Sequence, residues 1–561
     1  MIFELISWIY VSLICFIWAS QFLKLFFGVN EVAMIDFPVV CLIGMSMIGV
    51  VSYYISLAIH LNILIKLSLQ ILPLFILFKS ADRRELITQF KKSFVDFSIL
   101  DYIFLSVILL MILILSTSQI IHPDTLNYHV FSTQIFDKYG TINGLANLKP
   151  EFGFQSTWFS ALAFFDFPYF EAGPFYPLHG CALCWVSIFL ISKGIVKPKN
   201  APGLKLSGSR TWYLILILFS ILSWTQIRLT ASSLSPDFVT TIFILLSFYY
   251  FSGRKRGLTN EGSDLLAIFF SIIAITVKLS AAPIILIPIF IIVNGIIRKK
   301  WLITGRILLV IIILLAPIII RSIFISGYPF YPSSFGAFYS NDWKVELSEV
   351  LKFQNYITAY ARYPIPRIDA VLEYNQATSR WLPVWWRHLY LIDKTVILII
   401  AIGILVDISF FKTWIRSYSG RTFAALFVAI AGVIFWFAKA PDPRFGTGFL
   451  LTLIYFQFNP FINNMKGLEE RTLKIILDRI KYISVLFVII YVGYRLVFFF
   501  QLRQLVFPRG INYTTLILPD CDGQLKKMLM DNAESIPQLP DSCRHFIFRG
   551  TTIRQGFKAA R

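Results

Sequence analysis

Ile121 to Val130 reads IHPDTLNYHV, one acidic residue and two histidines directly after a run of about twenty apolar residues, the length that crosses a bilayer. Ionised groups are costly inside hydrocarbon and collect where water, a partner or a substrate reaches them. Asp124 at the mouth of such a run is therefore a candidate general base for a hydroxyl acceptor, against the plainer reading of an ordinary loop carboxylate. Comparable positions recur along the chain: Asp237 in SSLSPDF, Lys278 in TVKLSAAP and Arg444 in PDPRFGTG. Glu151, Asp442, Arg228, Arg362, Arg367, Arg387, His122, His129 and His388 complete the set. This inventory suits transfer of a group from a phosphate-linked lipid. A carboxylate activates the acceptor, Arg and Lys neutralise the departing phosphate, and Arg holds phosphate through paired hydrogen bonds.

Those residues need a membrane scaffold to position them. With 57% hydrophobic and 15% charged residues and a mean hydropathy of +0.71, the 561-residue chain is excluded from the ordinary soluble class. The expected fold is all-α, a polytopic membrane helix bundle of about 13 to 14 spans with interfacial helices in its first outer loop. A net charge of +20 suggests nucleic acid in a soluble protein. Here the Lys and Arg lie in short clusters between apolar runs, which is the positive-inside pattern, and no nucleic-acid partner is expected. The N-terminus has no basic segment before its apolar run and reads as a retained span.

Apolar runs near Ile6 to Phe27, Pro38 to His60 and Asn62 to Phe78 come first, with Lys66 in the third expected to snorkel or pair within the bundle. The basic segment KSADRRELITQFKK then marks a cytoplasmic stretch, so Ser98 to Ser118 crosses outward and delivers Asp124 to the non-cytoplasmic face. Basic clusters recur in KGIVKPKNAPGLKLSGSR and at Arg254 to Arg256, Arg298 to Lys300, Lys412 to Arg421 and Lys466 to Lys474. Each is reached by two crossings from the last, and all the unusual polar residues fall on the other side. The organisation is thus residues 1–97 as N-terminal additional spans with a basic loop, 98–500 as the transmembrane core with outer loops 119–174 and 327–393, and 501–561 as a non-cytoplasmic tail. The orientation of the N-terminus itself stays open, because the first connecting loops carry almost no basic residues. Gln155 to Phe167 is expected to lie as a short helix in the interface. Cys181 and Cys184 read as small packing residues, and Cys521 and Cys543 as a disulfide or two free thiols depending on the compartment.

The block HPDTLNYHVFSTQIFDKYGTING, followed by EFGFQSTWFSALAFF, resembles the first outer loop of the GT-C superfamily of integral-membrane glycosyltransferases. More narrowly, D-x-x-x-Y-H at Asp124 to His129 resembles a bacterial subgroup related to the protein mannosyltransferase and lipid A aminoarabinose transferase families. SSLSPDF, TVKLSAAP, GYPFYP and PDPRFGTG resemble that subgroup's outer-face motifs in order, over roughly Ser98 to Phe500. The resemblance implies inverting transfer of a sugar from a polyprenyl-phosphate donor to a hydroxyl of a glycan, lipid or protein, at the outer face of a bacterial inner membrane. It implies Asp124 as catalytic base and Lys278, Arg444 and Arg228 on the donor phosphate. His129, His122, Glu151 and Asp237 are accessory candidates, Asp237 doubling as a helix cap. Two departures stand out. Some three spans precede the acidic residue, where the superfamily usually has one, and the loop lacks two adjacent acidic residues, so no cofactor is assigned and a divalent metal stays an open question.

Two other classes compete. An O-antigen-type polymerase or ligase would place the chemistry on Arg362, Arg367, Arg387 and His388. A lipid-linked sugar flippase or other transporter would carry polar residues at mid-membrane, whereas here they gather at one face.

Overall fold

A computed structural model describes residues 1–27, 32–118, 120–166, 175–196, 213–217, 224–253, 258–336, 340–364, 371–375, 377–409, 420–464, 470–498, 546–548 and 557–559. The chain forms an all-α bundle. In order it builds α1 (Ile2–Phe27), α2 (Phe37–Ala58), α3 (Ile63–Leu74), α4 (Ser80–Lys92), α5 (Ile99–Ser116), α6 (Val130–Lys138), α7 (Thr157–Phe164), α8 (Leu178–Gly194), α9 (Trp224–Thr230) and α10 (Asp237–Ser252). There follow α11 (Asn260–Val277), α12 (Leu286–Ile297), α13 (Trp301–Ser326), α14 (Leu347–Arg362), α15 (Thr378–His388), α16 (Leu391–Ser409), α17 (Gly420–Lys439), α18 (Pro443–Asn464) and α19 (Glu470–Phe498). Among the described residues, two three-residue strands, Phe546–Phe548 and Phe557–Ala559, pair antiparallel and are the only strands.

Seven helices among the described residues are long and apolar enough to cross a bilayer: α1, α2, α5, α11, α12 with the 3-10 turn before it, α13 and α17. The helices α3, α8 and α10 are apolar but shorter. The protein is an integral membrane protein.

Ion pairs define the two ends of the bundle. At one end Lys24, closing α1, reaches Asp82 at 2.5 Å and Glu85 at 2.6 Å on the basic helix α4, and Lys193 reaches Asp36 at 2.7 Å. Lys300–Glu261 and Arg421–Asp264 lie at the opening end of α11, while Lys278 follows its closing end, about 27 Å away at 1.5 Å per residue. The site end therefore holds the starts of α1 and α3 and the ends of α2, α5 and α11. Because α1 runs from the site end to the basic end, the N-terminus lies on the same side as Asp124. Arg254 to Arg256, Lys412, Arg416 and Lys466 lie outside the described residues, as do Cys521 and Cys543.

The three leading helices are part of the core. α2 is buried along most of its length and packs on α1, α7 and α8. Close approach is made possible by glycine: a Cβ on Gly44 would collide with the Cys15 carbonyl, and one on Gly49 with the Thr157 carbonyl. Residues 1–97 are thus continuous in packing with the rest of the bundle. Lys66 on α3 pairs with Asp166 at 2.5 Å and with Asp137 on α6, so it pairs within the bundle and does not snorkel.

The interfacial placement of Gln155 to Phe167 needs correction. The helix there is shorter, Thr157–Phe164, and every one of its residues is buried. Its polar side is satisfied by the interior: Ser160 donates to the Gly49 carbonyl at 2.7 Å, and the Thr157 and Thr276 hydroxyls lie 3.0 Å apart. Cys181 and Cys184 are buried free thiols in α8, consistent with packing.

Candidate functional site

Asp124 closes a short loop after α5 and opens a π-helical turn, Thr125–His129, whose extra residue per turn shifts the side chains that follow. The Thr125 hydroxyl is buried and accepts from the Leu234 amide at 3.4 Å, which joins this turn to the loop before α10. Asp237 then begins α10, where a carboxylate is favoured by the helix dipole. Its backbone amide donates to the Ser235 hydroxyl at 3.3 Å, and its side chain meets cations.

Lys278 emerges at the end of α11 and donates to Asp237. Its ammonium also sits 3.6 Å above the Phe445 ring, a cation–π contact that fixes the headgroup beside α18. Arg444 enters from the first turn of α18. Gly446 and Gly448 allow that helix to seat, since a Cβ on either would strike the Trp436 ring or Ile244.

Arg444 is the centre of the arrangement. Its Nε and Nη2 donate to Asp442 at 3.0 and 2.9 Å, and its backbone amide donates to the same carboxylate at 3.0 Å. Nη1 donates to His122 Nε2 at 3.0 Å and lies 3.7 Å from Asp124 and 3.9 Å from Asp237. Since a guanidinium only donates, His122 Nε2 accepts and the imidazole carries its proton on Nδ1. That Nδ1 is buried without a hydrogen-bond partner among the described residues. Burial, and next the Arg444 charge, hold His122 below the ordinary histidine range, so it is neutral near pH 7. Three carboxylates (Asp124, Asp237, Asp442) face two cations (Lys278, Arg444). Of the three, Asp124 alone makes no hydrogen bond among the described residues, and its side chain is 24% exposed.

The other sequence candidates separate. His129 is buried beneath the turn, 3.4 Å from the Thr125 hydroxyl and against the rings of Tyr128, Phe159 and His122, and it anchors the turn without touching Asp124. Glu151 lies in a 3-10 turn, Pro150–Gly153, and among the described residues forms no ion pair with Lys278 or Arg444. Arg228 is half-buried on α9, one turn before the loop that leads to Asp237. Asp442, the principal holder of Arg444, is recognisable in the D-x-R spacing of PDPRF; Phe445 and Tyr128 stand inside the PDPRFGTG and D-x-x-x-Y-H motifs, but the motifs do not say that their rings meet Lys278 and His129.

Of the competing outer-loop residues, Arg362 and His388 bond within the loop, and Arg387 is exposed. Arg362 donates to the Tyr374 carbonyl at 2.6 Å and stacks on Trp381 at 4.4 Å, and His388 Nδ1 lies 2.8 Å from the Val384 carbonyl. Arg367 lies outside the described residues. In WLPVWWRH, Trp381 and Trp385 are buried, and Trp385 donates to the Pro441 carbonyl at 2.7 Å. With Trp386, Trp436, Phe437 and Leu450 it lines an apolar cleft of about 500 Å³. Trp436 donates to the Asp442 carbonyl at 2.6 Å, so the cleft adjoins the charged cluster.

Among the described residues no group of three or more His, Cys, Asp or Glu side chains is arranged to hold a metal ion. Asp237 and Asp442 instead have their charge met by Lys278 and Arg444.

A family model described as "Domain of unknown function (DUF8201)" matches residues 1–451, and the chain belongs to that family. The match takes in the three leading helices and every residue of the charged cluster. No curated protein and no solved structure matches the chain.

Proposed function

We propose that this DUF8201 member is a membrane glycosyltransferase that moves a sugar from a polyprenyl-phosphate donor to an acceptor hydroxyl at the non-cytoplasmic face. One observation carries the reading: Asp124, Asp237, Lys278 and Arg444, spread over more than three hundred residues of sequence, meet in one half-exposed cluster at one end of the bundle. Asp124 is the general base. It is placed by the π turn, lies within the field of Arg444 and keeps its oxygens free for a hydroxyl. Attack of the acceptor oxygen on the anomeric carbon breaks the bond to the lipid phosphate with inversion, and the acceptor proton passes to Asp124.

Lys278 and Arg444 receive the departing phosphate. Both are already paired with carboxylates, which orients them before the donor arrives, and Arg444 turns its Nη1 toward the Asp124 side. The aromatic cleft beside Asp442 suits an isoprenoid chain, since an apolar tail needs an apolar wall that reaches the headgroup site. The basic clusters between spans support a cytoplasmic placement of the opposite end.

The test is transfer by the purified full-length chain in proteoliposomes, offered a panel of polyprenyl-phosphate sugars with labelled sugar. The expected result is label released from lipid and lost in Asp124→Asn. Movement of intact labelled lipid between leaflets, with no bond broken, would make the protein a transporter and end the proposal.

A further inference from the structure

Beside the charged cluster runs a row of rings that the chemistry above does not use. The amphipathic helix α14 lies across the site end and carries Phe353, Tyr356 and Tyr360 at helical spacing on one face. Phe353 and Tyr356 lie within 10° of parallel with centroids 6.4 Å apart, and Tyr356 and Tyr360 follow at 6.3 Å. At that separation parallel rings are offset, side by side, and do not cover one another's faces. Phe154 extends the row at 5.5 Å from Phe353, and Tyr128, in the π turn, lies 5.6 Å from Phe154. The row leads into the cluster: Tyr360 is within the fields of Asp124, Arg444 and Asp442, and Tyr356 within those of Glu151 and Asp124.

Packing alone does not account for the polar atoms on this row. Among the described residues, the Tyr128, Tyr356 and Tyr360 hydroxyls and the Glu151 carboxylate make no hydrogen bond, although all four residues are half-buried. Polar groups in such positions gain from a partner rich in donors and acceptors. Flat aromatic faces interleaved with hydroxyls and a carboxylate match a ligand that has apolar C–H faces and hydroxyl edges.

We infer that the rings of Tyr356 and Tyr360, with the buried Phe353 behind them, form the acceptor subsite and that the acceptor is a saccharide, laid across Tyr356 and Tyr360 with the receiving hydroxyl toward Asp124. The inference rests on the transferase reading for the word acceptor, but saccharide binding stands apart from it. Glu151, which joins no ion pair in the cluster, takes hydroxyls of the bound sugar. A polypeptide acceptor would need backbone partners at this edge, and the row offers rings and side-chain hydroxyls.

Saturation-transfer NMR on the full-length chain in nanodiscs tests it, with maltotriose, mannotriose and chitotriose as probes and a serine-rich peptide as the comparison. At least one trisaccharide should give ring-face contacts, with affinity lowered about tenfold in Tyr356→Ala and again in Tyr360→Ala. Tyr356→Phe, which keeps the face and removes the hydroxyl, should lose only a few-fold and so controls for folding. Asp124→Asn should bind the trisaccharide while failing to transfer, so a failure of transfer is distinguished from a failure of binding. Absence of binding by all three probes, binding indifferent to both alanine variants, or preference for the peptide overturns the inference.

Discussion

Two clusters in this molecule set lysine or arginine among aspartates, and they are built to opposite ends. In the first, Lys66 on α3 touches both Asp137 and Asp166; the Lys66 and Asp166 side chains are 4% and 5% exposed, and the three residues tie α3, α6 and the chain after α7 together. In the second, the side chains of Asp124, Asp237, Lys278 and Arg444 are 14–24% exposed, and Asp124 stands 3.7 Å from Arg444 without a hydrogen bond. A charge fully paired in the interior fixes structure, because removing either partner strands the other. A carboxylate held near a cation but left unbonded at the surface of a cluster has capacity to spare, which is what a proton acceptor requires.

The comparison breaks if the two clusters respond alike to loss of charge. Asp124→Asn should lower transfer by about 10²- to 10⁴-fold, the usual contribution of a positioned general base, with thermal stability in detergent unchanged. A fall in melting temperature together with activity would move Asp124 into the structural class. Lys66→Met should do the reverse. It leaves the buried Asp166, 5% exposed, and the more open Asp137, 26% exposed, without their lysine, and stranding the buried one costs about 3–5 kcal/mol, read as a lower melting temperature and poorer yield. Asp124→Asn combined with Lys66→Met should show additive losses, since no residue is shared between the clusters.

These two clusters were not equally legible before the structure. Charged residues at span ends on one side of a membrane must share one surface, so the meeting of Asp124, Asp237, Lys278 and Arg444 follows from the charge alternation. The partners of Lys66 lie about seventy and one hundred residues away, and nothing in their spacing points to it. Hydropathy also cannot distinguish a helix at an interface from one whose hydroxyls bond interior backbone, and α7 is of the second kind. The place of the leading helices depends on Gly44 and Gly49, whose effect is on approach distance and leaves no mark in a hydropathy profile. Asp442 shows the remaining case: the D-x-R spacing was on the page, but the threefold grip on Arg444 needs the turn into α18 to be seen.

Within the second cluster, Arg444→Lys sharpens the division between holding and reacting. A lysine keeps the charge but cannot donate to Asp442 and His122 at once from a rigid fork. Loss of charge-assisted hydrogen bonds worth about 1.5–3 kcal/mol predicts roughly a tenfold to hundredfold fall in kcat/KM. Saccharide binding along α14 should fall less than transfer does, because Arg444 neighbours Tyr360 and not Tyr356.

The smallest effect expected is that of pH through His122. Its neutral form accepts from Arg444, with Asp237 at 4.0 Å and the ring of His129 nearby. A histidine whose pKa is lowered in the fold favours the deprotonated state. Its contribution is therefore complete above the unfolded value of about 6.5 and is lost as pH falls through that value toward the lower folded one. Protonation replaces the acceptor with a donor facing a guanidinium, loosening Nη1 beside Asp124. Transfer rate should fall a few-fold on the acid side in the wild type. His122→Gln, which retains an acceptor oxygen and cannot titrate in this range, should flatten that limb while keeping most of the rate at pH 7.5. An acid limb unchanged in His122→Gln would assign the titration to another group of the cluster and leave His122 a packing residue like His129.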